Sequence, residues 1–246
     1  MAVVVGGTRG IGRAVAEQFA SLGADVVVTY SRSKDAARAA VEAVGARGAR
    51  CEAIQADIGD RDAIVALFRQ VAERWRRLDF LVNSAARGLE RPRGAIDSLP
   101  RHLRHTLEVN VLGPWFCAQE AARLMDRGGA VVNLLSPGSQ RYLPRYAPVG
   151  VSKGALETLT KYLAVELAPR GIRVNGVSAG LVEGTDGVRL LPPNLVETYR
   201  ARVPAGRLVT PQDVAEVVAF LCSDAASMVI GQTVLVDGGY SLLGLV

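Results

Sequence analysis

The amino-acid sequence predicts an α/β fold: a single domain spanning residues 1–246, with seven parallel strands in one doubly wound sheet and helices on both faces. Three observations lead to it. Seven apolar runs of strand length recur along the chain, segments of helical length separate them, and a glycine-rich turn joins the first run to the first helix. Strands that alternate with helices are joined by crossovers, and crossovers of that kind build a parallel sheet. The composition agrees, with 246 residues, 49% of them apolar and 22% charged, and no linker-like stretch. A chain of that size buries ~70–75% of its extended surface around one core.

The first strand, Ala2 to Val5, runs directly into Gly6-Gly7-Thr8-Arg9-Gly10-Ile11-Gly12 and an amphipathic helix to about Leu22. Strand, tight glycine turn and helix in that order open a dinucleotide-binding βαβ unit. Gly6 permits the turn, Gly10 lets the backbone approach a pyrophosphate, Gly12 lets the helix pack close, and the anion sits at the helix N-terminus. This is the Rossmann arrangement, with the cofactor half at about 1–135.

The second strand, Asp25 to Thr29, ends in Tyr30-Ser31-Arg32, where an NAD-selective site places a carboxylate on the ribose 2′-hydroxyl. No carboxylate is there. Arg9 and Arg32 are instead suited to grip a 2′-phosphate, which predicts NADPH; the competing reading leaves both arginines solvated. A helix from about Asp35 to Gly45 and a strand from Glu52 to Ala56 lead to Asp57-Ile58, and Asp57 is placed to accept from an adenine amino group. A helix from Asp60 to Trp75 feeds the strand Phe80 to Val82 and then Asn83-Ser84-Ala85-Ala86, small residues that fit beside a cofactor at the carboxyl ends of strands.

Arg87, Arg91, Arg93, Arg101 and Arg104 make the next stretch the most basic one, read first as an ordinary solvated loop and helix. A helix from about Leu103 to Met125 carries Asn110 among apolar neighbours. A buried amide needs partners, so Asn110 either bonds backbone or holds water near Lys153, or is a satisfied core amide. The fifth strand, Ala130 to Leu135, ends in Ser136. The sixth, Ile172 to Val177, leads to Ser178-Ala179-Gly180 and an irregular segment to about Gly206, whose Val188, Leu190, Leu191 and Leu195 suit a lid over an apolar substrate. Catalytic helix and lid together occupy about 136–210. A helix from Pro211 to Cys222 and a strand from Thr233 to Val236 complete the pattern.

Between the fifth and sixth strands lies Leu143 to Thr160, where the chemistry is expected. Pro148 suits a first helical position, which leaves Tyr146 on the preceding loop and Lys153 a turn and a half inside. Seven residues return to nearly the same helix face, so phenol and ammonium flank one cleft. A nearby cation moves a phenol toward the operating pH range, and the same lysine can donate to sugar hydroxyls.

Other classes are disfavoured. Met1 precedes a strand almost directly and no apolar run reaches ~18 residues, so neither a signal peptide nor a membrane span is predicted, and the protein is expected in the cytoplasm. Cys51, Cys117 and Cys222 are far apart and are expected to be reduced and buried. His102 and His105 have no third ligand nearby, so no metal is expected. The net charge of +5 rests on arginine, the only lysines being Lys34, Lys153 and Lys161; with few aromatics it is poor support for nucleic-acid binding but suits a phosphate-bearing cofactor or an acidic protein.

Over its whole length the chain resembles the short-chain dehydrogenase/reductases, through Gly6, Gly10 and Gly12, Asp57, the Asn83 segment, Asn110, Ser136, Lys153, Gly231-Gln232 and Asp237-Gly238-Gly239. In most members the catalytic tyrosine lies four residues before the lysine, a position held here by Val149. Tyr146, seven before, matches enoyl-acyl carrier protein reductases, and the NADPH-dependent FabL-like type most of all, through Phe116 to Ala122, Arg141-Tyr142-Leu143, Val149 to Lys153 and Tyr162 to Leu167. The chain departs from the pattern at Val5, at Ser84-Ala85-Ala86 and at Ala179 before Gly180.

The resemblance implies reduction of a 2-enoyl thioester in fatty acid or polyketide-type biosynthesis, with Tyr146 on the thioester oxygen, Lys153 on the nicotinamide ribose, and Ser136 and Asn110 in support. Cofactor contacts are expected at Gly6, Thr8, Arg9, Gly10, Ile11, Gly12, Tyr30, Ser31, Arg32, Asp57, Ile58, Asn83, Ala85, Lys153 and Gly180. It further implies a homodimer or homotetramer paired through the helices at Leu103 to Met125 and Val149 to Ala168. An acidic acyl carrier protein would be met by the arginines from Arg87 to Arg104 or by Arg189, Arg200 and Arg202. Two other readings stay open: a carbonyl reductase acting on 3-oxoacyl thioesters with Tyr142 or Tyr146 as acid, and a catalytically idle cofactor-binding protein.

Overall fold

A computed structural model of the protein describes residues 1–89 and 93–243; Arg91, one of the basic-loop arginines, lies outside them. Seven strands, β1 (Ala2–Val5), β2 (Val26–Tyr30), β3 (Cys51–Gln55), β4 (Phe80–Asn83), β5 (Gly129–Leu135), β6 (Ile172–Ala179) and β7 (Thr233–Val236), form one sheet in the order β3-β2-β1-β4-β5-β6-β7. Every pairing is parallel. The order reverses between β1 and β4, and the crevice beyond their carboxyl ends is where such a sheet receives ligands.

The apolar runs are continuous rather than alternating because both faces of the sheet are covered. In β1, Ala2 and Val4 enter a core formed with α1 (Gly10–Ser21), α2 (Lys34–Gly45) and the last long helix, Pro211–Cys222. Val3 and Val5 enter the opposite core, against α3 (Arg61–Trp75), Cys117 to Ala122, and Leu163 and Ala164. Each buried valine contributes roughly 1.5–3 kcal/mol over an exposed one. That double burial fixes β1 and, with it, the position of the glycine turn.

The expected helix from Leu103 to Met125 is three pieces: α4 (Pro100–Leu107), one turn of π-helix (Glu108–Leu112) and α5 (Gly113–Leu124). Its start moves three residues earlier because Pro100 fits a first turn, and the wider turn places Asn110 fully inside. Helix α6 (Ala147–Leu167) begins one residue before the expected Pro148, which takes the second position, where its missing N–H also costs nothing. β6 runs on through Ala179, so Ser178 and Ala179 belong to the strand.

The segment read as irregular contains α7 (Asp186–Arg189) and α8 (Pro193–Arg202); α9 (Pro211–Cys222) follows. Helix α8 buries no residue, so it has no apolar stripe for a periodicity to reveal. Cys117 and Cys222 are buried, but Cys51 is half-buried at the start of the edge strand β3, against the expectation of full burial. No helix among the described residues is long and apolar enough to cross a membrane.

Candidate active site

The glycine turn is held from beneath by Thr29, the buried residue that follows Val26-Val27-Val28 in β2, whose Oγ1 accepts the Gly6 N–H at 3.0 Å. Gly6 has φ +73°, and a β-carbon there would stand 2.8 Å from the Ala85 backbone. A β-carbon on Gly12 would stand 2.3 Å from the Gly6 carbonyl oxygen, so the helix reaches the turn only because Gly12 has none. Thr8 is buried, whereas Ile11 is half-buried against the core. A cleft of about 370 Å³ opens beside them, lined by Thr8, Arg9, Gly10, Arg13 and Ser33 together with the lid residues Thr185, Asp186 and Arg189.

Of the two arginines expected to read a 2′-phosphate, Arg9 lines this cleft and is paired with Asp186 at 3.2 Å. Arg32 is exposed at the end of β2, next to Ser31, and Tyr30 is half-buried. Asp57 Oδ1 accepts the Gly59 N–H at 2.9 Å, which fixes the carboxylate at the end of β3. Ile58 is buried, and its carbonyl backs directly onto Gly113 of α5.

Asn83 does not fit the role of a direct cofactor contact through its side chain. It is 2% exposed, and its Nδ2 donates to Asn133 Oδ1 at 2.8 Å; Asn133 in turn donates to Thr160 at 2.9 Å. The register pairs Asn83 with Asn133 on neighbouring strands, so the amides meet inside the sheet and tie β4 and β5 to α6. Asn83 Oδ1 has no partner among the described residues, whereas Asn110 is saturated: Oδ1 accepts the Arg87 N–H at 2.8 Å, and Nδ2 donates to the Arg87 carbonyl at 3.1 Å and to Ser152 Oγ at 2.9 Å. Backbone bonding and core satisfaction turn out to be one reading, and its side chain braces α6 rather than facing substrate.

Tyr146, Ser136 and Lys153 do converge. Tyr146 is the residue that precedes α6 (φ −117°, ψ 8°), and its hydroxyl donates to Ser136 Oγ at 3.1 Å. The ring packs against Gly138, where a β-carbon would come within 2.7 Å of Cδ1 and Cε1. The backbone of Arg93 bridges to Tyr146 and accepts the Ala147 N–H at 3.2 Å, so the basic loop clamps the start of the helix. Val149, the position at which the resemblance would place the usual catalytic tyrosine, is 2% exposed and packs under Gly88. Tyr142, the other acid considered, is 86% exposed.

Lys153 is 5% exposed and donates to the Leu134 carbonyl at 2.6 Å, its one hydrogen bond among the described residues. Burial pushes its ammonium down to about 8. An ammonium has three donors, so a buried one with a single partner fits a site completed by the hydroxyls of a bound sugar. Burial raises the Tyr146 phenol, and its bond to Ser136 opposes the rise.

Three contributors carried no sequence signal. Gly138 is one. Tyr199 of the lid is another: its hydroxyl reaches to 2.8 Å from where a β-carbon on Gly180 would stand, and its ring stacks on Tyr240 at 3.8 Å. The third is Asp186, 177 positions from its partner Arg9. The two histidines are occupied locally: His102 accepts the Leu99 N–H, and His105 faces Glu108 at 3.0 Å. Among the described residues no three His, Cys, Asp or Glu side chains are grouped to hold a metal.

Comparison with known proteins matches this geometry to one family. A family model described as Enoyl-(Acyl carrier protein) reductase matches residues 5–241. A 1-cyclohexenylcarbonyl-CoA reductase of Streptomyces collinus is 39% identical over 248 residues, covering 99% of this chain and 87% of that one. A 3-oxoacyl-[acyl-carrier-protein] reductase FabG of Staphylococcus aureus is 37% identical over 240 residues, covering 97% and 96%. The structure of a mutant Serratia marcescens short-chain dehydrogenase/reductase superposes with a TM-score of 0.91 at 35% identity, covering 98% of this chain and 97% of that one. The chain therefore belongs to the short-chain dehydrogenase/reductase family of oxidoreductases.

Proposed function

We propose that the protein reduces the 2,3 double bond of an enoyl thioester with NADPH. The observation that carries this reading is the exchange of positions around Lys153: Val149 is buried one helical turn before it, while Tyr146, seven residues before, directs its hydroxyl to Ser136. The family model's description and the Streptomyces relative, named for a carbonyl conjugated with a ring alkene, support it.

The glycine turn, the arginine-lined cleft and the under-bonded Lys153 fit a dinucleotide, whose reduced nicotinamide supplies the hydride for the β-carbon. Tyr146 donates to the thioester oxygen, where negative charge builds as the enolate forms, and such donors are worth most in a water-poor site. Ser136 orients the Tyr146 hydroxyl, and Lys153 holds the ribose. Uptake of a proton at the α-carbon completes the reduction.

A second reading, reduction of a 3-oxoacyl thioester, is favoured by the 3.1 Å between Ser136 and Tyr146, which lets two hydroxyls share one carbonyl oxygen, and by the Staphylococcus relative. Incubation with crotonyl-CoA and acetoacetyl-CoA, each with NADPH and NADH, separates the two. Butyryl-CoA from the first, with NADPH preferred, is expected; 3-hydroxybutyryl-CoA from the second, with crotonyl-CoA untouched, would replace the proposal by the carbonyl reductase, and tight cofactor binding with neither product by the idle protein.

Leu112, Trp115, Tyr162 and Val165 leave apolar surface exposed on the π turn, α5 and α6, which supports assembly through these helices; a monomer by light scattering would dismiss it. Arg93, Arg101 and Arg104 around the 97% exposed Ile96 support docking of an acidic carrier protein. Charge reversal there should raise KM for carrier-bound substrate alone, and an equal rise with the coenzyme A thioester would count against docking.

A further inference from the structure

The far wall of the glycine-turn cleft is made by the lid. Thr185 Cγ2 lies 3.6 Å from where a β-carbon on Gly10 would stand, so the turn before α7 rests on the start of α1. Across that contact one oxygen of Asp186 takes Arg9 Nη1 at 3.2 Å, and the other faces Arg189 Nη1 at 3.7 Å. Arg13 and Ser33 line the same cleft, but Arg13 is held by Glu17 at 2.8 Å. Two guanidinium groups spread over the oxygens of one anion is how arginines meet a phosphate.

We propose that Asp186 stands in for the 2′-phosphate of the cofactor. Without cofactor it occupies Arg9 and pins the lid onto the glycine turn; the incoming phosphate takes Arg9 and Arg189 from it, and its charge drives Asp186 away. Asp186 and Arg9 are both more than half exposed, 57% and 62%, so the pair is weak, and a phosphate with nearly two charges displaces a single carboxylate. Discrimination between NADPH and NADH then lies partly in the lid, and the phosphorylated cofactor alone frees α7. The inference rests on the NADPH reading above.

Calorimetry with adenosine 2′,5′-bisphosphate and with AMP tests it without turnover. The wild type should prefer the bisphosphate. D186N should bind it about two- to fivefold more tightly than wild type, the range in which a surface ion pair competes, with AMP unchanged; R189Q should bind it more weakly by a similar factor. Hydrogen exchange over residues 184–191 should be accelerated by the bisphosphate in wild type to the level D186N shows unliganded, and AMP should leave it unaltered. No preference for the bisphosphate in wild type removes the NADPH reading and this inference with it. A clear preference that D186N leaves unchanged, weakens, or alters equally for both ligands overturns the role of Asp186 alone.

Discussion

Helices α6 and α9 both enter on a proline-containing first turn, yet their N-termini are built in opposite ways. At α9, Thr210 Oγ1 accepts the Asp213 N–H at 3.2 Å, Asp213 accepts the Thr210 N–H at 2.7 Å, and Arg207 grips the same carboxylate with two bonds of 2.6 and 2.8 Å. That guanidinium holds the Asp213 carboxyl well below the usual carboxylate range. At α6 the capping position is Tyr146, which gives the helix no side-chain bond and turns its hydroxyl to Ser136. The cores differ in the same sense: α9 buries Val214, Ala215, Val218, Leu221 and Cys222, whereas α6 buries Ser152, Lys153 and Thr160 among its apolar residues. Stabilising contacts are concentrated at α9, whereas α6, which carries the proposed catalytic groups, gives up its cap and part of its apolar face to polar side chains.

The sharpest way to break this contrast is Tyr146→Phe. Losing the hydroxyl removes the donor to the substrate oxygen without unsettling the ring on Gly138, so kcat should fall by about 10²-fold or more, with cofactor affinity and thermal midpoint close to wild type. Stopped-flow turnover beside a cofactor titration checks it. Unchanged kcat would falsify the role of Tyr146 and reduce the missing cap to an accident of sequence.

Lys153→Met tests the other half of the contrast. The folded-state value near 8, against 10.5 for the free side chain, means that at neutral pH the cofactor-free fold holds an ammonium it disfavours. Because the unfolded chain keeps its proton up to the higher value, the destabilisation is complete below about pH 8 and is relieved as pH rises from 8 toward 10.5. The difference corresponds to at most about 3 kcal/mol. The cofactor-free variant should therefore outlast wild type in urea at pH 7, see that advantage shrink from pH 8 upward and vanish above about pH 10.5, and turn over no substrate. A variant less stable than wild type at pH 7 would show that the bond to Leu134 outweighs the desolvation.

Gly138→Ala is expected to act next most strongly. A methyl group 2.7 Å from Cδ1 and Cε1 has to push the Tyr146 ring off its bed, and a displacement of that order costs about tenfold or more in rate when the donor must meet one oxygen. Because Gly138 does not line the glycine-turn cleft, kcat should drop while cofactor affinity holds. A parallel loss of both would mark Gly138 as a general structural residue.

The same contrast explains what the sequence disclosed. β7 and α9 have the predicted bounds, since capping residues, apolar period and turn residues all agree there. β1 and the glycine turn were legible because a parallel strand buried on both faces leaves a continuous apolar run. The segment read as a lid was not: α8 has no buried side, and it is tied down by contacts between separated positions, Tyr199 stacking on Tyr240 and Arg200 pairing with Glu183. The π turn at Glu108–Leu112 adds backbone within an unchanged apolar pattern, so one uniform helix fitted equally well. At the site, residue type showed that Asn83 and Asn110 were polar groups among apolar ones, but only the neighbouring strand and the Arg87 backbone determine that both amides turn inward.

Thr210→Ala is the smallest effect and the one that isolates the structural helix. It removes the acceptor for the Asp213 N–H and the 2.8 Å bond from Thr210 Oγ1 to the Asp213 carboxylate, but leaves Arg207 in place. A lost cap costs about 1 kcal/mol, which in a domain of this size lowers the thermal midpoint by roughly 2–4 °C. α9 packs on α1 and the sheet through its apolar face, with one polar link, Gln212 to Gln18 at 2.8 Å, and none of these contacts involves Thr210, so kcat and KM should stay at their wild-type values while the midpoint falls. If turnover drops along with the midpoint, the strain has passed from α9 through α1 to the glycine turn, and the separation of stability from chemistry between the two helices does not hold.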